Sequence, residues 1–213
     1  MTEVVLYHHM QGLTAGVRSF AEELRQAGHT VHTPDLFDGR TFDTLERGMA
    51  FAREAGFGEL AERGVAAADA IGAEAVYVGC SFGVMIAQQL AQTRPAARGA
   101  VFMYACLPVS EFGDAWPANV PVQVHGKEAD PFFAEDLEAA RALVESTDQA
   151  ELFLYPGAEH LFADSSLPAY DPAAAGLLTE RVLAFLGGTV PSTTARREAN
   201  PARPRVLPRT PRR

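Results

Sequence analysis

The chain has 213 residues, 47% of them hydrophobic, with two cysteines, Cys80 and Cys106; this suits one domain with its own core and leaves too few thiols for a disulfide scaffold or a zinc cluster. No apolar run approaches the roughly 20 residues of a membrane span, and the opening Met1-Thr2-Glu3-Val4 lacks a targeting pattern, so a cytoplasmic protein with no membrane partner is expected. Residues 189–213 hold seven of the 18 Lys+Arg and one of the 27 Asp+Glu, which leaves 11 basic and 26 acidic residues, a net −15, on residues 1–188; so acidic a body argues against a nucleic-acid partner.

Taken in order, Glu3 to His8 reads as a buried strand and His9 to Thr14 as the loop after it. Val17, Phe20, Ala21 and Leu24 repeat at helical spacing, with Gly28 placed as the residue after the helix end. His29 to Thr33 is a second strand, left through the loop Pro34 to Gly39. From Thr41 to Ile71 helical segments are expected, broken near Gly56-Phe57-Gly58. Glu74 to Val78 is a strand, and the helix-like run that begins with Ile86-Ala87-Gln88 continues to about Thr93. Arg98 to Ala105 and Pro121 to Gly126 are further strands, separated by an irregular connection, Leu107 to Asn119, that contains the only tryptophan, Trp116. A loop from Lys127 to Phe133 leads into a helix with Leu137, Ala140 and Val144 on one face. Glu151 to Tyr155 is the last strand. Asp171-Pro172 reads as a helix cap followed by proline in the first turn, and Leu178, Val182, Phe185 and Leu186 give the final helix its stripe before Gly187-Gly188.

Residues 189–213 carry five of the 14 prolines and almost no large apolar side chains. Such a stretch cannot bury a core. The chain therefore divides into a domain over 1–188 and a basic Pro/Arg-rich tail over 189–213. The tail reads as a disordered appendage, the alternative being a basic arm for an anionic partner.

Strands alternate with helices, and the strands are apolar runs rather than alternating patterns. That is the signature of an α/β fold with a mostly parallel sheet and helices on both faces. In such sheets function collects at the carboxyl ends of the strands.

Three strand ends carry chemistry. Gly79-Cys80-Ser81-Phe82-Gly83 is a G-x-S-x-G pentapeptide between a strand and a helix, the setting of a nucleophile elbow in an α/β-hydrolase. A serine hydroxyl is a poor nucleophile near neutral pH. It needs a base within reach, and the base needs an acid to hold its tautomer. His160 follows the strand at 151–155, and Asp130 follows the strand at 121–126. The order Ser81, Asp130, His160 is that of an α/β-hydrolase, and these three are the candidate nucleophile, acid and base. Asp136 and Asp164 are rivals for the acid, and Cys80 is a rival nucleophile. The backbone N–H of Phe82 and one from the first loop, Met10, are the candidate oxyanion hole. His9, Phe37, Trp116 and Phe162 are candidate pocket walls, with Phe132 and Phe133 beside them. No dinucleotide fingerprint follows the first strand and no His/carboxylate pair has metal spacing, so neither metal nor cofactor is expected.

With Gly12-Leu13, Pro34-Asp35-Leu36-Phe37, Gly79-Cys80-Ser81-Phe82-Gly83, His125-Gly126…Asp130 and Tyr155…His160-Leu161-Phe162-Ala163 in order across residues 3–187, the chain resembles the dienelactone hydrolase family of α/β-hydrolases. The resemblance implies a cofactor-free hydrolase whose partner is a small ester or lactone. A thioesterase, a peptidase or a non-catalytic binding protein on the same scaffold are the alternatives. Three departures stand out. The family's founding enzymes have cysteine where Ser81 stands. They have a glutamate near the place of His9. An arginine that clamps the substrate carboxylate stands at the place of Asp164, so an anionic lactone is expected to be repelled.

Overall fold

The six apolar runs form the six strands of one sheet: β1 (Glu3–Tyr7), β2 (Thr30–His32), β3 (Val76–Cys80), β4 (Gly99–Met103), β5 (Val122–Lys127) and β6 (Ala150–Tyr155). Between and after them lie α1 (Ala15–Gln26), α2 (Leu45–Ala55), α3 (Phe57–Ile71), α4 (Phe82–Thr93), α5 (Phe133–Ser146) and α6 (Pro172–Gly188). The structure is a computed structural model and describes residues 1–72 and 74–188; the tail expected over 189–213 lies outside the described residues. The strands stand in the order β2-β1-β3-β4-β5-β6, and every neighbouring pair is parallel. Parallel neighbours need a crossover over a sheet face, which is why helices cover both faces.

Successive side chains of a strand point to opposite faces, and the core divides accordingly. Val5, Tyr7, Tyr77, Phe102 and Val124 pack against α3, α4 and α5. Val4, Leu6, Val76, Val78 and Val101 pack against α1 and α6. Both sets are fully buried, so a strand with two covered faces reads as an unbroken apolar run. Each such side chain contributes about 1.5–3 kcal/mol by leaving water.

Local signals set the helix ends. Thr14 accepts a hydrogen bond from the Val17 N–H and caps α1, and the Asp171 carboxylate accepts from the N–H groups of Ala173 and Ala174 ahead of Pro172. Thr44 caps α2 through the Arg47 N–H. The expected break at residues 56–58 is a junction at Gly56, where α2 ends and α3 begins. Two differences from expectation matter here. β3 continues to Cys80 rather than ending at Val78, because the Ser81 N–H still reaches the Met103 carbonyl at 2.7 Å. α5 buries Phe133, Ala140 and Leu143, while Leu137 and Val144 are only partly buried. Among the described residues no helix is long and apolar enough to cross a membrane.

Candidate active site

The β3–α4 turn is the strained point of the fold. Ser81 has φ 49° and ψ −112°, a region that side chains other than glycine rarely occupy and that costs on the order of 1–3 kcal/mol. The flanking glycines make so tight a reversal possible. A Cβ on Gly79 would lie 2.5 Å from the Val84 Cα, and one on Gly83 would lie 2.4 Å from the Tyr7 carbonyl oxygen. The turn therefore presses against its own helix on one side and against β1 on the other, and the Ser81 hydroxyl is left at the carboxyl edge of the sheet. Two more residues with positive φ stand beside it, Tyr104 (72°) and Leu161 (60°).

His160 and Asp130 reach the same edge from the loops after β6 and β5. Ser81 Oγ is 3.0 Å from His160 Nε2, and His160 Nδ1 is 2.6 Å from Asp130 Oδ2. An ionised carboxylate only accepts, so Nδ1–H donates to Asp130 and Nε2 is left to accept from the Ser81 hydroxyl. Asp130 is 1% exposed, and its second oxygen accepts from the Phe132 N–H at 2.9 Å. The imidazole contacts two rings, Tyr104 with centroids 5.6 Å apart and Phe132 at 4.9 Å. The Tyr104 hydroxyl accepts from the Ala163 N–H. Lys127, at the end of β5, donates to Glu159 and Asp171 at 2.6 and 2.8 Å, tying the residue before His160 to the start of α6.

A cavity of about 340 Å³ opens over Ser81 and His160. Its walls include Leu45, Met49, Phe57, Met85, Tyr104 and Leu107, with Phe132, Glu135 and Asp136 on the α5 side. Met10 and Phe82 line it as well, and neither backbone N–H donates a hydrogen bond among the described residues. α2 holds the Met10 peptide in place. A Cβ on Gly48 would lie only 1.9 Å from the Met10 carbonyl oxygen, so helix and loop touch there.

The four residues expected to wall the pocket do not line this cavity. Phe37 and Phe162 are fully buried: Phe37 makes edge and tilted ring contacts with Phe42, Phe51 and Phe82, and Phe162 packs edge-on against Tyr104 in the core on the opposite face of the sheet. Phe133 is likewise core, and Phe132 does line the cavity. Trp116 stands in a neighbouring cavity, its indole N–H satisfied by the Val120 carbonyl at 2.7 Å. His9 is 1% exposed and turned away, with Nε2 2.8 Å from Asp164 Oδ2. Asp164 therefore stands with His9, Thr14 and Ser166 outside the cavity, and the expected repulsion of an anionic substrate at this residue does not arise. The carboxylates that do line the cavity are Glu135 and Asp136. Burial raises the Asp136 carboxyl against a hydrogen bond from the Cys106 N–H that lowers it.

Cys80 points to the α1/α6 face, 3% exposed, with its thiol against Met103 Sδ. Burial pushes that thiol far up, which keeps it protonated and unreactive. His8 accepts from the Leu36 N–H and contacts the His9 carbonyl through its other nitrogen, fastening β1 to the 34–39 loop. Among the described residues no group of three or more His, Cys, Asp or Glu could hold a metal ion.

The sequence reading missed Leu45, Met49, Phe57 and Glu135 as walls. The one available signal was a large apolar residue at a helix start, Phe57, which is 38% exposed.

The family model described as the dienelactone hydrolase family matches residues 1–190. No match was found among curated proteins. Several solved structures share the fold. A dienelactone hydrolase-like promiscuous phosphotriesterase from metagenomic libraries is 20% identical, with TM-score 0.70, covering 89% of this chain and 87% of that one. A dienelactone hydrolase from Anabaena variabilis is 22% identical, with TM-score 0.62 and coverage of 88% and 86%. An esterase from Pyrobaculum calidifontis is 15% identical, with TM-score 0.57 and coverage of 88% and 76%.

Proposed function

The chain belongs to the dienelactone hydrolase family and is a hydrolase, and from that premise we propose that it cleaves small carboxylic esters or lactones through a serine acyl-enzyme. The observation that carries this reading is the relay from Ser81 Oγ to His160 Nε2 at 3.0 Å and from His160 Nδ1 to Asp130 at 2.6 Å. Ser81 Oγ attacks the carbonyl carbon while His160 Nε2 takes its proton. Asp130 holds the imidazole in the required tautomer and stabilises the imidazolium. The carbonyl oxygen, now negative, is met by the N–H groups of Met10 and Phe82. The C–O bond to the alcohol then breaks, and His160 returns the proton to the departing oxygen. A water attacks the acyl-serine with His160 again as base, releasing the acid and restoring the hydroxyl.

Serine is the nucleophile in this reading because its hydroxyl is at the edge and in contact with a base. The Cys80 thiol is buried on the other face. The cavity's apolar walls suit a small uncharged acyl group.

A fluorophosphonate probe together with methyl acetate hydrolysis tests the proposal. Both should be lost in Ser81→Ala and retained in Cys80→Ala. Labelling that survives in Ser81→Ala, or a native protein that neither labels nor turns over any ester, removes the reading.

A further inference from the structure

A second cavity, about 610 Å³, adjoins the first. One wall is α5, through Ala139, Ala142 and Leu143; the other is the connection after β4, through Pro108, Val109 and Trp116. The two cavities share Glu135 and Asp136, and the backbone passes from Leu107 in the first to Pro108 in the second. At the junction Asp136 Oδ2 accepts from the Cys106 N–H at 3.1 Å, bridging α5 to the opposite wall. The walls are pre-formed. The Trp116 indole is fixed by its hydrogen bond to Val120 and by edge contact with Phe102, centroids 5.9 Å apart, so it turns only carbon to the groove.

We propose that this groove, resting on the serine esterase reading above, is the subsite for the alcohol half of the ester, and that this half is apolar and carries no negative charge. Position decides which half. The departing oxygen must receive its proton from His160 Nε2, so the alcohol extends on the His160 side of Ser81. That side is the α5 side, where Phe132 stands against the imidazole and leads into the helix that walls the groove. The oxyanion side, at Met10 and α2, lies across the cavity. Polarity decides the class. Carbon makes up the larger part of the groove's lining. The charged residues that line either cavity are Asp114, Glu135, Asp136 and Glu138, and no lysine or arginine is among them. A distal carboxylate or phosphate would meet like charge, with no lysine or arginine among the described residues of the lining to pair it.

Alkyl acetates of increasing alcohol length test this directly. They share one acetyl-enzyme and have alcohols of nearly equal acidity, so kcat/KM differences report how the alcohol is held during acylation. Each methylene that enters the groove should raise kcat/KM by up to about fourfold. Ala142→Trp and Ala139→Phe fill the groove from α5 at positions that do not themselves line the Ser81 cavity. Each should lower kcat/KM for hexyl acetate at least tenfold and leave methyl acetate within about twofold, and the methyl acetate rate also reports correct folding. An acetate ester with a carboxylate at the far end of a hexyl-length alcohol should be at least tenfold slower than hexyl acetate. A flat profile in the native protein, or an unchanged profile in both variants, overturns the alcohol subsite. Equal rates for the carboxylated and neutral esters overturn the charge assignment. Loss of all methyl acetate hydrolysis in the native protein is a different result: it removes the serine esterase reading, and the subsite with it.

Discussion

Replacing Asp164 by asparagine should destabilise the protein by about 3–5 kcal/mol, and the cost follows from four hydrogen bonds. The carboxylate is 4% exposed. Its Oδ2 faces His9 Nε2 at 2.8 Å and accepts from the Thr14 hydroxyl. Its Oδ1 accepts from the Ser166 N–H at 2.9 Å and the Ser166 hydroxyl at 2.6 Å. His9 Nδ1 already accepts from the Gln11 N–H at 3.2 Å, so Nε2 must carry its proton and donate. An asparagine can keep its oxygen toward Ser166, but its NH₂ then meets the His9 N–H, and the Thr14 hydroxyl must turn to accept rather than donate. Two hydrogen bonds to a charged acceptor are lost, about 1.5–3 kcal/mol each, and buried N–H groups are left facing one another. The displacement of the carboxyl's pKa has the same sign. Burial alone would raise its pKa, yet hydrogen bonds from His9, Ser166 and Thr14 hold it at about 2 against an ordinary 3.8. That displacement corresponds to about 2.4 kcal/mol, present above pH 3.8 and lost as the pH falls through 2. Urea unfolding of the native and Asp164→Asn proteins at pH 7 measures the loss, with a fall in Tm of about 10 °C for a domain of this size. A loss below about 1 kcal/mol would refute the account, since it would mean the network is satisfied equally well by a neutral amide.

Two more outcomes follow from the same structure. Gly48→Ala should lower kcat for methyl acetate at least tenfold, because the new Cβ would stand 1.9 Å from the Met10 carbonyl and displace the loop that carries one proposed oxyanion donor; steady-state kinetics showing kcat within twofold of native would contradict that placement. Below pH 6.5 stability should fall, because burial lowers His8 to about 4 and His125 to about 3. Both stay neutral in the folded protein between pH 6.5 and 4, while the unfolded chain protonates them, so unfolding takes up protons. The loss should approach about 2.7 kcal/mol per pH unit for the pair, read as a falling urea midpoint between pH 7 and 5; a flat midpoint would sink this reading.

The order of strands and helices was legible along the chain because each depends on local pattern. Val76-Tyr77-Val78 must be apolar throughout when a strand is covered on both faces, and Thr14 or Asp171 can cap a helix using only its neighbours. The strand-end positions of Ser81, Asp130 and His160 were legible for the same reason, since a parallel α/β sheet sends every such loop to one edge. The walls of the cavity were not. Phe37, Phe162, Trp116 and His9 are aromatic residues near that edge in sequence. Whether a ring faces the cavity or the core depends on which helix lies over it. Phe37 went into an aromatic cluster with Phe51 of α2, and His9 turned to a carboxylate 155 residues away.

Sequence alone determined the parallel sheet, the tight turn at Ser81 and the strand-end positions of Ser81, Asp130 and His160, because these rest on periodicity, on glycine at a tight reversal and on alternating strands and helices. Tertiary structure alone decided that Asp130 rather than Asp136 or Asp164 meets His160, that the Cys80 thiol faces the other side, and that α5 and the connection after β4 enclose a second cavity. Each of these is a contact between segments far apart in the chain, and its geometry is set by the packing of helices on the sheet rather than by the residues beside it.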